Sequence, residues 1–297
     1  KKSMANFWNA TAVILVAGFI SLIPNISNLW TSYEYMKETI RGKPELTSNQ
    51  KIRSSGLDKD YITQWSYGVG ETFTLMIPNV KGGGDARLGD TKSALDKVDR
   101  NLRKQIAQQN HYWGNMPFTA GPVYAGAFIC FLFVLGLFIV KGKLKWALFG
   151  ATVLAIMLAW GHNFMPLTDF FIDYVPFYNK FRAVSSILII AEVTIPILAI
   201  LALKQIADNP NLIKEKKTAF FVSLGLTAGL TLLFVLLPKM FFDFIKDTEA
   251  VQFDGYVQQG ANQAQIDDFI SNLEIARISI FRMSCLRTIL FIVIGAA

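Results

Sequence analysis

Long apolar runs alternate with short, basic polar connections along most of this chain. The segments 7–24, 123–140, 144–160, 187–203 and 219–237 are almost wholly apolar, and a further run begins near Arg287 and continues to residue 297. A helix that crosses a bilayer needs about 20 mostly apolar residues to traverse about 30 Å of hydrocarbon. Lipid offers no partner to backbone amides, so each run is predicted to be helical. The pattern predicts an all-α integral membrane protein, a polytopic helical bundle of about six transmembrane helices.

The basic residues set an orientation. Lys1 and Lys2 precede the first run, Lys141, Lys143 and Lys145 separate the second from the third, and Lys204, Lys214, Lys216 and Lys217 separate the fourth from the fifth. All three groups fall on one side if every run crosses, and that side is cytoplasmic. The segments 25–122, 161–186 and 238–286 are then extracytoplasmic, in a bacterial cytoplasmic membrane. Trp113, Tyr124, Trp146 and Trp160 stand at the expected interfaces, as an aromatic belt would.

The 25–122 segment is too long for a plain connection. Residues 29–37 continue the first helix outward, and Gly42-Lys-Pro44 ends it. Residues 61–78 are apolar and aromatic enough to lie along the bilayer surface. Lys81-Gly-Gly-Gly-Asp85 reads as a flexible turn. Residues 91–109 read as a soluble helix, with Leu95, Val98, Leu102 and Ile106 at helical spacing. The 161–186 loop carries Phe164, Met165, Phe170, Phe171, Ile172 and Phe177, and is expected to dip into the interface as a re-entrant or interfacial loop.

Composition agrees with this pattern. Apolar residues make up 52% and charged residues 17%, against about 25% charged in soluble domains. The net charge of +7 does not indicate nucleic acid, because the lysines cluster between apolar runs. Cys130 and Cys285 lie in apolar stretches and read as small hydrophobes. With two histidines, zinc chemistry is not expected. The chain opens at Lys1-Lys2-Ser3 and stops within an apolar run, so an internal fragment of a longer protein is expected.

Three strings carry a resemblance: Trp65 to Asn79 (WSYGVGETFTLMIPN), Tyr112 to Pro122 (YWGNMPFTAGP) and Tyr178 to Ser185 (YNKFRAVS). Together, in this order and spacing, they resemble the YfhO family of bacterial membrane proteins in its Bacteroidetes form. The resemblance covers essentially the whole chain. It implies a GT-C-type glycosyltransferase, which takes a sugar from a polyprenyl-phosphate carrier and passes it to an envelope polymer or glycan acceptor outside the cytoplasmic membrane. In that superfamily the catalytic Asp or Glu usually lies in the first outer loop, which this segment is expected not to contain.

Such chemistry needs a carboxylate to activate the acceptor hydroxyl and cations to hold the phosphate leaving group. Lys180 and Arg182 fit the second need, on an aromatic loop just before the fourth run; the alternative is snorkelling at a helix end. Glu71, in Gly70-Glu-Thr, and Glu34, between Tyr33 and Tyr35, are candidates for the first. An acid among aromatic rings can become a proton acceptor; the alternative is a solvated or ion-paired loop acid. Glu192 lies inside the fourth run, with Pro196 one turn later, and either faces a wet cavity or serves the proline kink.

Tyr112 and Trp113 either stack on a sugar or anchor at the interface. His162 has no neighbouring ligand for a metal. Asp169 and Asp173, four residues apart, are a weak divalent-cation pair. Arg277, Arg282 and Arg287 recur at five-residue steps and read as part of an amphipathic surface helix leading into the sixth run, with contact to lipid phosphates as the alternative for Arg282 and Arg287. Lys81 to Asp85 lacks the Gly-Lys-Ser/Thr of a nucleotide loop. Beside the enzyme stand two other readings: a transporter or flippase for a lipid-linked substrate, and a non-catalytic membrane scaffold subunit. All three imply membrane lipids or a lipid-linked sugar as partners, and none implies nucleic acid.

Overall fold

A computed structural model describes residues 2–39, 57–84 and 86–297. The expected break at Gly42-Lys-Pro44 lies outside the described residues, as do Lys1 and Asp85. The described residues form helices, short 3-10 turns and no strand. The longer helices are α1 (Lys2–Leu22), α2 (Ile26–Lys37), α3 (Ala127–Ile139), α4 (Leu144–Ala159), α5 (Met165–Tyr174), α6 (Ile189–Asp208), α7 (Lys217–Leu224), α8 (Leu230–Leu236), α9 (Asp247–Gln258) and α10 (Gln263–Ala296).

Four helical stretches are long and apolar enough to cross a membrane: Met4–Lys37, Val184–Asp208, Lys217–Leu236 and Gln263–Ala296. A fifth results if Leu144–Ala159 and Gly161–Tyr174, bent by 114°, form one broken span. The apolar runs at 123–140 and 144–160 form helices of 13 and 16 residues, about 20–24 Å long at 1.5 Å per residue. Their ends have local causes. Gly126 (φ 117°) and Gly142 (φ 94°) flank α3. The Tyr124 hydroxyl accepts a bond from Ala127 N–H at its start (3.1 Å), and Lys145 Nζ donates to the Leu137 carbonyl near its end (2.6 Å). Both satisfy backbone groups that the helix leaves open, and the lysine also suits the negative end of the helix dipole.

The chain divides into two compact units, Lys1–Ile62 with Phe171–Arg182, and Thr63–Phe170 with Ala183–Ala297. In the first, α1 runs into α2 through a 3-10 turn at Ile23–Asn25, where Pro24 stands at the second position. The expected helical continuation beyond the first apolar run is therefore present. The apolar window of this stretch buries none of its residues, so it leaves its hydrophobic surface to lipid or to another chain.

In the second unit α6 is central. It packs on α3 and α4, while α10 packs on α3 and α8. Small residues permit the closeness: Ala191, Ala199 and Ala202 of α6 are buried, and a Cβ at Gly136 of α3 would stand 3.0 Å from Leu198. The buried hydroxyls of Thr152 in α4 and Thr194 in α6 meet at 2.7 Å. An aromatic chain ties the 63–126 segment to α8 and α10. Phe73 and Phe234 lie 5.0 Å apart, Phe234 and Phe242 4.9 Å, and Phe242 and Phe281 5.1 Å, measured between ring centroids. Each such pair adds about 0.5–1.5 kcal/mol beyond area burial.

Four sequence expectations are corrected here. Residues 61–78 do not spread along a surface: Tyr67, Glu71, Thr74, Leu75, Met76 and Ile77 are all buried. Residues 91–109 do not form one helix. They form 3-10 turns followed by a short helix, Arg103–Ala107, because Asp99 takes its own turn: its Oδ1 accepts from Asn101 N–H, and its N–H donates to Asn272 Oδ1 of α10 (2.7 and 2.8 Å).

The described part of the Lys81–Asp85 turn is tightly held. Trp113 N–H donates to Lys81 O (2.9 Å), Gly83 N–H donates to His111 Nδ1 (2.9 Å), and a Cβ at Gly82 (φ 82°) would overlap the His111 carbonyl. Finally, α10 is continuous from Gln263, with the Asn262 side chain capping Ala264 N–H at 2.9 Å. The three arginines do not all lie at a surface: Arg277 is fully buried, while Arg282 and Arg287 are exposed. The buried Arg277 finds a carboxylate and aromatic partners inside the fold.

Candidate functional site

In the second unit the 63–72 segment closes over the end of α4. Tyr67 N–H donates to the Ala159 carbonyl (2.8 Å), Trp160 Nε1 donates to Thr72 Oγ1 (2.9 Å), and Asn163 Nδ2 donates to Tyr67 O (3.0 Å). Gly161, at φ 49°, turns the chain there, and a Cβ on it would overlap Ser66 Oγ. The same Ser66 oxygen accepts from His162 N–H (2.8 Å). His162 is thus an end-of-helix residue. No group of three or more His, Cys, Asp or Glu side chains suited to a metal ion occurs among the described residues.

Glu71 belongs to this segment and is 1% exposed. Its Oε1 accepts from the Tyr112 hydroxyl (2.6 Å), and its Oε2 accepts from Gly68 N–H (2.6 Å) and Asn115 N–H (3.2 Å). The Tyr112 oxygen in turn accepts from Met116 N–H (3.0 Å). The Tyr67 hydroxyl meets Thr74 Oγ1 in a short contact. Burial first, and then the neighbouring Glu71 charge, push the Tyr112 phenol well above its ordinary value; burial does the same to Tyr67. Both phenols therefore stay protonated, and Tyr112 remains a donor to Glu71. This carboxylate staples the 65–79 and 112–122 strings together. Its lone pairs are turned toward protein donors, an arrangement that holds a loop rather than one that meets a substrate.

A cavity of about 310 Å³ opens beside this network. Trp65, Tyr67 and Phe118 form its aromatic walls, and Thr119, Ser185 and Ser186 supply hydroxyls. Trp65 and Phe118 stand edge to face with centroids 5.4 Å apart. Ser185 N–H donates to Trp65 O (3.3 Å), which ties the wall to the chain entering α6. Ala183, also on the cavity, has φ 64°, a left-handed conformation that costs a non-glycine residue about 1 kcal/mol or more. Glu192, in the first turn of α6, is half-buried and makes no hydrogen bond among the described residues. Its charge reaches Tyr67, where it adds to the upward push on the phenol.

Two lysines approach from the 238–262 segment and the 81–84 turn. Lys246 Nζ donates to the Met116 carbonyl (2.7 Å) and lies 5.5 Å from the Tyr112 ring centroid. Lys81 Nζ donates to the Asp243 carbonyl (2.7 Å). Burial lowers the ammonium pKa of both. Behind them Trp113 is 1% exposed, covered by Phe244 (centroids 6.1 Å apart) and by the Arg277 guanidinium at 5.4 Å. Tyr112 and Trp113 are therefore inner residues of the site, not rings at a membrane interface or on a ligand.

The remaining candidates, apart from Asp169, lie in the first unit. Glu34 is exposed and pairs with Lys37 (2.9 Å), so it lacks the apolar enclosure that makes a proton acceptor. Arg182 Nη1 donates to the Tyr61 hydroxyl (2.7 Å), with its guanidinium 5.4 Å from that ring. Lys180 closes a 3-10 turn that begins after Phe177, itself left-handed at φ 68°, and burial lowers its pKa. Asp169 and Asp173 share α5. Sequence reasoning did not single out Tyr67, Phe118, Lys81, Lys246 or Glu249. Trp65, Tyr67 and Phe118 lie inside the strings that carry the family resemblance, whereas the lysines carry no pattern. No protein-family model matches the chain, and no curated protein or solved structure does.

Proposed function

We propose that this chain is the membrane core of a GT-C-type glycosyltransferase of the YfhO kind. It crosses a bacterial cytoplasmic membrane about six times, with its large loops outside. It transfers a sugar from a polyprenyl-phosphate carrier to an envelope glycan. The observation that carries this reading is the aromatic cavity of Trp65, Tyr67 and Phe118, edged with hydroxyls and placed at the start of a membrane-length helix. Flat aromatic walls with a few hydroxyls suit a sugar ring, and the positive end of α6 suits a phosphate nearby. Glu192 is the carboxylate of this region that protein donors leave open. Lys180 and Arg182, on the first unit, are proposed separately as cations for a lipid phosphate. A divalent cation on Asp169 or Asp173 is a further part of the proposal.

The test uses the full-length protein in membrane vesicles with a labelled polyprenyl-phosphate sugar. Trp65→Ala is expected to reduce transfer about tenfold, the equivalent of one aromatic contact of roughly 1.4 kcal/mol, while Lys204→Ala leaves it unchanged. Wild-type vesicles without transfer, or undiminished transfer by Trp65→Ala, would overturn the proposal.

A further inference from the structure

The second unit carries a larger groove, about 700 Å³, away from the aromatic cavity. Its floor is apolar: Leu236 is 61% exposed, Met283 57% and Leu286 50%. Leu236 is the last residue of the candidate span Lys217–Leu236, and Met283 and Leu286 lie along the candidate span Gln263–Ala296. The floor thus runs down the side of one membrane helix from the end of another. At that end Arg282, Lys97 and Lys239 form the rim. Two acids oppose them: Asp96 in the rim, and Glu274, which pairs with Lys239. With Lys239 paired to Glu274, Arg282 and Lys97 face the single acid Asp96, and one positive charge is in surplus.

Arg282 is aimed by the fold. Its Nε donates to the Val235 carbonyl (3.1 Å), one of the acceptors that the end of α8 leaves open. With Nε so held, the two terminal nitrogens have no protein acceptor among the described residues, and the planar fork is presented to the groove. Such a fork binds phosphate oxygens in pairs.

We propose that this groove is a binding site for an anionic phospholipid of the surrounding membrane. The Arg282 fork and Lys97 hold the phosphate headgroup, and the Leu236–Met283–Leu286 floor takes an acyl chain. Charge complementarity selects this occupant. The cations gather at the span end, where a headgroup lies, and the apolar floor continues toward the bilayer interior, so the groove matches an anionic amphiphile in both parts. A water-soluble phosphate has no use for the floor, and an apolar helix has none for the two open guanidinium nitrogens.

The experiment is native mass spectrometry of the detergent-purified full-length protein, titrated separately with phosphatidylglycerol, phosphatidylcholine and glycerol phosphate. Phosphatidylglycerol adducts are expected to outlast phosphatidylcholine adducts. Arg282→Gln and Lys97→Gln should each weaken phosphatidylglycerol about fivefold, the effect of one interfacial cation. Leu286→Trp should reduce retention of the lipid by filling the floor. Lys97 is an exposed rim residue, so its variant decides the matter even if Arg282→Gln does not fold. Equal retention of the two lipids, undiminished phosphatidylglycerol binding by Lys97→Gln, or glycerol phosphate binding as tightly as the lipid would overturn the proposal. So would a dimer that holds this face without lipid.

Discussion

Arg277 and Glu249 face one another through two parallel hydrogen bonds, Nη1 to Oε2 and Nη2 to Oε1, each 2.6 Å long. The Arg277 side chain is fully buried, and Glu249 retains 18% exposure. Nη1 also donates to the Phe244 carbonyl (2.8 Å) and Nη2 to that of Asn110 (3.3 Å), while Trp113 lies under the guanidinium. One ion pair thus joins α9, α10 and the loop before Tyr112. Removing one partner leaves a buried charge uncompensated, which costs about 3–5 kcal/mol. Glu249→Ala is expected to lower the thermal midpoint of the purified protein sharply. The double variant Arg277→Met with Glu249→Leu should recover most of the loss. A single variant that melts with the wild type would show that the pair carries no stability.

The same pair sets an acid limit. Burial alone would raise the Glu249 carboxyl, but the Arg277 hydrogen bonds and charge outweigh it and hold the carboxyl below its ordinary value. A folded-state pKa below the unfolded one contributes stability that is complete above the unfolded pKa. That stability is lost as pH falls through the folded pKa. Thermal midpoints measured from neutral pH downward should therefore fall in the acid range for the wild type. In the Arg277→Met, Glu249→Leu variant the fall should be shallower. Parallel curves for the two proteins would rule out Glu249 as a source of the acid sensitivity.

Gly114 lies against the contact between Tyr112 and the Glu71 carboxylate. A Cβ on Gly114 would overlap both Glu71 Oε1 and the Tyr112 hydroxyl. Gly114→Ala must therefore break the contact between them, and an overpacked core position costs about 1–3 kcal/mol. Tyr112→Phe removes a donor from Glu71 and an acceptor from Met116 N–H. Buried groups left unpaired cost about 1–3 kcal/mol. Each variant should lower the thermal midpoint, and the double variant should lose less than the two losses added, because both act on one network. Strict additivity would separate Gly114 from the Glu71–Tyr112 bond.

Much of the helical frame was legible because apolar runs of membrane length have few alternatives. The window at 187–203 falls within Val184–Asp208, and that at 219–237 matches Lys217–Leu236 except for its last residue. The loops were less legible, because their structure depends on partners distant in sequence. The spacing of Leu95, Val98, Leu102 and Ile106 fits a helix, but Asp99 is drawn to Asn272 of α10 and the segment folds into shorter turns. Arg277 reads as a solvated residue until Glu249, Phe244 and Trp113 are placed around it. Glu71 was legible as a carboxylate among aromatic rings. Its saturation by Gly68, Asn115 and Tyr112 was not, because two of the three donors come from another string.

Glu71 and Glu192 allow a role in holding the proposed site to be told from a role in its chemistry. Glu71 accepts three hydrogen bonds within the protein, while Glu192 makes none among the described residues and is half-buried at the start of α6. An amide at position 71 would turn at least one N–H toward these donors and leave buried groups unpaired, at a cost of about 1–3 kcal/mol. Glu71→Gln is therefore expected to lower thermal stability, and to reduce sugar transfer only as far as folded protein is lost. Glu192→Gln should melt close to the wild type, since no bond is broken, yet reduce transfer by about 10²-fold or more if its carboxylate takes the acceptor proton. Transfer rates per folded molecule, measured beside thermal midpoints, distinguish the two. An active Glu192→Gln protein would remove that residue from the chemistry, and a stable but inactive Glu71→Gln protein would move Glu71 from support into it.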